Sequence, residues 1–178
     1  HQRTLTTMNN LGFIYKTQRK YDLARPLYEE ALEGRRLLLG EEHPSTLTSM
    51  NNLAVLYTAQ GKFGLALPLL ETAFEEQRRL LGEDHSGTLA SMSNLGSCLA
   101  QQGAYAEAES LLLGLYSLRL KVFGAKHRVV VKSLGYLVNL YTQWGKPEEA
   151  AKWKSKLPSP TKPDGQAPDR KTVPVPLP

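Results

Sequence analysis

The sequence predicts an all-α solenoid of about four stacked helix pairs with a disordered C-terminal tail, and three observations support this prediction. The four histidines of the 178-residue chain stand 42 residues apart, from His1 to His127. Residues 1–42 and 43–84 are identical at 23 of 42 positions. Apolar residues recur at helical spacing and no useful length alternates with period two, so we expect no sheet.

The period divides the chain into repeat units and a tail. Residues 1–42, 43–84 and 85–126 form three units, and 127–157 form a degenerate unit that we interpret as the C-terminal cap, with Lys154 at a large apolar position. Residues 158–178 contain seven prolines, which predicts a disordered tail with polyproline II character. Its PVPLP end is a weak candidate ligand for an SH3 or WW domain.

Each unit contains two helical patterns with recognisable ends. Glycine separates the two helices in three units and Arg19 takes that place in the first, which predicts a left-handed C-cap there. Pro44 marks a helix start, where its missing N–H costs little. Pro26 and Pro68 are expected near the first turn of the second helices. The predicted capping glycines are Gly61, Gly103 and Gly145 between helices, and Gly40, Gly82 and Gly124 after the second helix.

Small and large residues alternate within the units in a pattern that resembles the tetratricopeptide repeat. Small side chains are needed where paired helices approach to about 8–10 Å. The resemblance covers residues 1 to about 157 and implies a right-handed superhelix of helix pairs. In the first unit the pattern consists of Leu11, Gly12, Tyr15, Ala24, Tyr28 and Ala31.

The 42-residue unit and its HPxxxxxxNNLAxLY core are similar to those of the kinesin light chain and related repeat arrays. This resemblance implies a non-catalytic scaffold that binds a protein or peptide in extended conformation, as a cargo adaptor does. An alternative is a regulatory array within a larger enzyme such as an NTPase. The first unit looks internal, because it keeps an intact apolar face, so further repeats or another domain are expected upstream.

Asparagines in register are the candidate ligand-binding residues. The resemblance places the first helices on the concave face of the array, and an amide offers both a donor and an acceptor to a peptide main chain. Alternatively, these side chains bond the neighbouring unit and fix the repeat geometry. Tyr136 replaces asparagine in the fourth unit, so three rungs are expected. The asparagines are Asn9, Asn10, Asn51, Asn52 and Asn94.

Other positions of the first helices are expected to line the same groove. Most of the lining is polar and uncharged. Only Lys16 and Lys132 supply cations there, three units apart, which disfavours a clamp for a terminal carboxylate. The further predicted contact residues are Phe13, Lys16, Val55, Ser97 and Asn139.

Composition and motifs argue against several other functions. The histidines belong to the repeat and are predicted to cap or pack at turns, so no metal or cofactor site is expected. Cys98 occupies an apolar helix position, and no nucleophile has a base beside it, so catalysis is not expected. The net charge of +5 is scattered, which favours a solvated surface over nucleic-acid binding. A single cysteine and the lack of a membrane-spanning run fit a cytoplasmic protein.

Overall fold

The computed structural model describes residues 1–158 of the chain, and these residues form eight α-helices without a strand. Each 42-residue unit contributes two consecutive helices, as the periodicity predicts. The predicted tail falls almost entirely outside the described residues. The helices are α1 (Gln2–Thr17), α2 (Tyr21–Leu39), α3 (Pro44–Ala59), α4 (Phe63–Leu81), α5 (Ser86–Gln102), α6 (Tyr105–Phe123), α7 (Arg128–Gln143) and α8 (Pro147–Lys154).

Three of the four repeated histidines cap the helix that follows them, as the sequence predicted, whereas His1 makes no side-chain cap bond to α1. Nδ1 of His43 accepts a hydrogen bond from the backbone N–H of Ser45 at 3.1 Å. His85 and His127 make the equivalent bond to the residue two positions on. Each imidazole thus satisfies one of the N–H groups that a helix start leaves without a partner. Pro44 lies in the first turn of α3, also as expected.

Glycines end the helices where the sequence placed them. One residue between the two helices of each unit has a positive φ. This residue is Gly61 (71°), Gly103 (94°) or Gly145 (71°), and in the first unit it is Arg19 (58°). Pro26 and Pro68 lie one turn further into α2 and α4 than expected, at the sixth residue of each helix. Both helices continue through the proline, because the remaining backbone bonds and the buried face outweigh one lost bond.

Within each unit the two helices approach closely because small residues face large ones. A Cβ atom on Gly12 of α1 would lie 3.0 Å from the ring of Tyr28 in α2. One on Gly96 of α5 would lie 2.8 Å from Leu112 in α6. In these two units the paired helices therefore touch through glycine backbone on one side and a large side chain on the other.

Between units, the second helix of one unit packs on the first helix of the next. Leu47, Leu53 and Leu56 of α3 are buried with Ala24 and Tyr28 of α2 in one apolar cluster. A second cluster continues through the later units. The two ends of the stack differ from this interior: α8 has no buried residue, and the predicted apolar face of the first unit is exposed at Leu11 and Ile14.

Candidate functional site

The first helices form the inner, concave side of the stack. Among the described residues, α1 contacts α3, α3 contacts α5 and α5 contacts α7, whereas successive second helices do not contact one another. Elements on the inside of a curved stack are closer together than those on the outside. The helices that carry the asparagines thus lie on the inner side of the stack.

Three of the asparagines present open groups on this inner surface. Asn10 is exposed, and Asn52 and Asn94 are half-buried. Nδ2 of Asn52 donates to Oδ1 of Asn9 at 3.2 Å, and Nδ2 of Asn94 donates to Oδ1 of Asn51 at 3.4 Å. Within residues 1–158, Asn10 makes no side-chain hydrogen bond and the Oδ1 atoms of the other two have no partner. Each of the three can therefore accept a further bond.

The preceding asparagines, Asn9 and Asn51, lie between units instead. Both are 6% exposed. Nδ2 of Asn9 donates to Oγ of Ser49 in the next unit at 3.1 Å, and Nη1 of Arg35 donates to the same hydroxyl at 2.9 Å. Arg35 also donates to the carbonyl of Ser45 at 2.9 Å. Burial removes its guanidinium from water and lowers its pKa, and these oxygens replace the water.

The same arrangement repeats at the later boundaries. Nδ2 of Asn51 donates to Oγ of Ser91 at 2.5 Å, and that hydroxyl donates to Oε1 of Gln77. Nη1 of Arg119 donates to Oγ of Ser133 at 3.0 Å. We call Ser49, Ser91 and Ser133 the boundary serines. All three are fully buried.

The register of the asparagine pairs thus separates two roles. Asn9 and Asn51 hold adjacent units together through the boundary serines, and their burial leaves them no surface for a ligand. Of these five asparagines, only Asn10, Asn52 and Asn94 remain available on the concave side. The sequence could not separate the members of each pair, because adjacent residues on a helix differ by about 100° in direction.

Further along the concave surface, two predicted contact residues meet around one cavity. Ser97 and Asn139 line a space of about 210 Å³ between the third and fourth units. Gln101, Gln143 and Tyr136 complete its polar wall. Gln101 and Gln143 also line an adjoining cavity of about 440 Å³. Tyr136 was not predicted as a contact residue. Lys132, which was expected in the groove, stands four positions earlier on the same helix, so this spacing could have indicated Tyr136. In the structure Nζ of Lys132 lies 5.8 Å from the centroid of the Tyr136 ring.

The first two units present a different lining at the equivalent positions. Phe13 is 56% exposed, although it is a large apolar residue. Nζ of Lys16 lies 5.1 Å from the centroid of its ring, and burial lowers the pKa of this lysine. Val55 is half-buried in the second unit. One position of the repeat thus changes from Phe13 through Val55 and Ser97 to Asn139, from apolar to polar along the array.

Charge also distinguishes the inner helices from the outer ones. No aspartate or glutamate occurs in α1, α3, α5 or α7. These helices carry four cationic residues, Arg3, Lys16, Arg128 and Lys132. The second helices do carry acidic residues, and three of them pair with an arginine of the same helix, as in the 2.5 Å contact of Glu75 with Arg78. The concave surface is consequently neutral to positive.

Other chemistry-bearing groups are structurally engaged. Cys98 is fully buried, and burial raises the pKa of its thiol, so it packs as a small apolar residue. Within residues 1–158 no three histidine, cysteine or acidic side chains lie together as metal ligands would. No helix in the same range is both long and apolar enough to cross a membrane.

Comparison with known proteins finds relatives of the same architecture. A family model described as "Tetratricopeptide repeat" matches residues 3–75, 57–113 and 88–156. A crystal structure of a putative kinesin light chain from Podosopora anserina, with nearly identical TPR-like repeats, has a TM-score of 0.78 and 28% identity, over 88% of this chain and 74% of that chain. A single-substitution variant of the same protein aligns equally well.

A further structure shares the fold at lower identity. BtubC (BKLC) from P. vanneervenii aligns with a TM-score of 0.71 and 20% identity, over 97% of this chain and 69% of that chain. The search of curated proteins finds no match. Because the family model covers nearly all of the described residues, the chain belongs to the tetratricopeptide repeat family.

Proposed function

We propose that this chain is a non-catalytic interaction scaffold that binds an extended peptide along its concave groove. The observation that carries the proposal is the register of Asn10, Asn52 and Asn94, one per unit on the inner helices, with oxygens that lack a partner among residues 1–158. Unpaired amide groups on a concave surface are suited to a ligand that has its own unpaired donors and acceptors.

The ligand that fits these groups is a peptide main chain. An extended segment exposes its N–H and C=O groups, which can bond to successive asparagines whatever the side chains are. Each such bond adds about 0.5–1.5 kcal/mol, so three rungs give modest affinity. A rigid, preformed array leaves most of the ordering cost on the peptide.

Specificity then comes from side chains between the rungs. The exposed ring of Phe13 offers a contact for an apolar or aromatic side chain. The cavity beside Ser97 and Asn139 offers amides and hydroxyls for a polar one. The inner helices have no carboxylate to repel acidic residues of a ligand. The likeness to a putative kinesin light chain supports a cargo-adaptor role for such binding.

The test is a peptide array probed with the parent chain and with a variant in which Asn10, Asn52 and Asn94 are all changed to Ala. We expect the parent to select peptides and the variant to lose at least about tenfold in affinity for them, measured by isothermal titration calorimetry. Peptides with alternate main-chain amides N-methylated should bind the parent more weakly, because the ladder needs their N–H groups.

A matched control carries three alanine substitutions of exposed hydroxyls on the outer helices, at Thr72, Ser110 and Ser117. It should bind as the parent does. Circular dichroism of both variants checks that the helices persist. Equal binding by the folded asparagine variant, or binding that is lost only in the outer-helix control, would place the ligand elsewhere and end the proposal.

A further inference from the structure

The outward face of α1 has the apolar residues of a unit boundary but no unit against it. Leu11 and Ile14 are 38% and 48% exposed. Their equivalents Leu53 and Leu56 in α3 are 5% and 0% exposed, because α2 covers them. The later units bury the same two positions, at Leu95, Cys98, Leu137 and Leu140. We call the surface formed by Thr4, Thr7, Leu11 and Ile14 the α1 face.

The α1 face also carries the polar residues of a boundary. Thr7 takes the position of the boundary serines, but it is exposed and its hydroxyl donates only to the carbonyl of Arg3 in its own helix. Thr4 takes the position of Thr46 and Thr88. Those two are buried and donate to the carbonyls of the capping glycines Gly40 and Gly82 at 2.8 and 2.7 Å.

The established boundaries define what such a face contacts. The covering helix presents an alanine, large residues four and eight positions later, an arginine or glutamine at eleven and a glycine at sixteen. In α2 these residues are Ala24, Tyr28, Leu32, Arg35 and Gly40, and in α4 they are Ala66, Leu70, Phe74, Gln77 and Gly82. The apolar members bury the leucines, and the polar member reaches the boundary serine.

We propose that the α1 face binds a further helix pair of this same 42-residue type. Its second helix covers Leu11 and Ile14. Its arginine, with an asparagine from its first helix, donates to Oγ1 of Thr7; a glutamine at that place accepts from the hydroxyl instead, as Gln77 does from Ser91. Its capping glycine accepts from Thr4. The α1 face continues the series of three boundaries described above, and it does not belong to the concave groove.

A second copy of this chain does not supply that partner through its own last unit. Gly135 stands where Asn9 and Asn51 stand in earlier units. Lys154 stands where Tyr28, Leu70 and Leu112 are buried, and α8 ends at that residue. The last unit therefore lacks the large apolar residue that all three boundaries use, and, like the third unit with Ser93 at that position, it lacks the asparagine.

The test extends the whole chain by one unit, with a copy of residues 43–84 joined in register before His1. Thr7→Ala is then compared in the extended and the original chain by urea denaturation. In the original chain we expect no loss, because Thr7 is exposed. In the extended chain the midpoint should fall by about as much as Ser91→Ala lowers it in the original chain. Thr17→Ala, at an exposed threonine of the same helix, is the control and should behave alike in both.

Changing both the glutamine and the asparagine of the added copy that correspond to Gln77 and Asn51 to Ala should remove the effect of Thr7→Ala. Hydrogen exchange gives a second readout, in which α1 amides become more protected in the extended chain. Equal effects of Thr7→Ala in both chains, or unchanged protection of α1, would overturn the proposal. Dimers of the original chain that Leu11→Glu abolishes would also overturn it, since the occupant would then be a second copy.

Discussion

Asparagines that are adjacent in sequence perform different tasks in this repeat. Asn9 is buried and bonds to Ser49 of the next unit, while Asn10, one residue later, is exposed and has no side-chain partner among residues 1–158. A buried amide without a partner costs about 1–3 kcal/mol, so Asn9 and Asn51 are fixed by stability. An exposed amide such as that of Asn10 is not required for stability, so this position can serve ligand binding.

Replacing Asn51 should therefore destabilise the fold, and replacing Asn10 should not. Asn51→Ala leaves the buried Ser91 with one partner fewer, so we expect a loss of about 1–3 kcal/mol in the free energy of unfolding. Asn10→Ala should stay within about 0.5 kcal/mol of the parent. Urea denaturation of both variants measures the difference. A large loss from Asn10→Ala would show that this residue is structural too.

Tyr28 makes the fold sensitive to high pH. Its side chain is 1% exposed, and burial raises its pKa to about 12 from the ordinary value near 10. The folded state binds the phenol proton more tightly than the unfolded state does. The contribution of this proton to folding stability is therefore complete below about pH 10 and is lost as the pH rises towards 12. The rise from about 10 to about 12 corresponds to about 3 kcal/mol of folding free energy.

Urea midpoints measured from about pH 9 to about pH 11.5 should fall above about pH 10 in the parent. Tyr28→Phe should reduce that slope, because the equivalent residues Leu70 and Leu112 show that the site accepts an apolar group. Tyr141, whose pKa is also raised to about 12 by burial and by its bond to Glu109, should account for a further part. An unchanged slope in Tyr28→Phe would contradict the assignment.

At the scale of the helix, the turn inside the first unit is strained. Arg19 has φ 58°, where the other three units have glycine at positive φ. A residue with a Cβ is about 1–2 kcal/mol less stable in this conformation. We expect Arg19→Gly to raise the free energy of unfolding by about 1 kcal/mol and the melting temperature by about 2–4 °C. The reverse change, Gly61→Arg, should lower both, and a stabilising Gly61→Arg would refute the strain.

The helices and their ends were predictable because each has a local signal. Histidine or proline marks a start, glycine marks an end, and the apolar period gives the buried stripe. Two features were not predictable from such signals. The depth of Pro26 in α2 depends on packing that tolerates one lost bond, and the separate roles of Asn51 and Asn52 depend on how neighbouring units are rotated. Tyr136, in contrast, stands in register with Asn10, Asn52 and Asn94, so its place in the groove could have been predicted.

Over the whole molecule, stability depends on how many neighbours a unit has. The second and third units contact a unit on both sides, whereas the first and fourth have one neighbour each among residues 1–158. In a stack with only nearest-neighbour contacts, an end unit lacks one interface term and opens more easily. α8 has eight residues, none of them fully buried, and it packs on the core only through the partly buried Ala150 and Trp153.

The protection of backbone amides against hydrogen exchange should therefore decrease from the middle of the stack to its ends. We expect α3 to α6 to exchange most slowly, α1 and α2 faster, and α8 fastest of all, because local opening exposes the least apolar area there. Leu56→Ala, at a fully buried position between units, should lower the free energy of unfolding by about 2–5 kcal/mol and reduce protection across α3 to α6 together. Mass spectrometry of peptides from each helix measures both effects. Uniform protection from α1 to α8 would mean that the array unfolds as one cooperative block, and the boundary serines would then couple all four units rather than only adjacent ones.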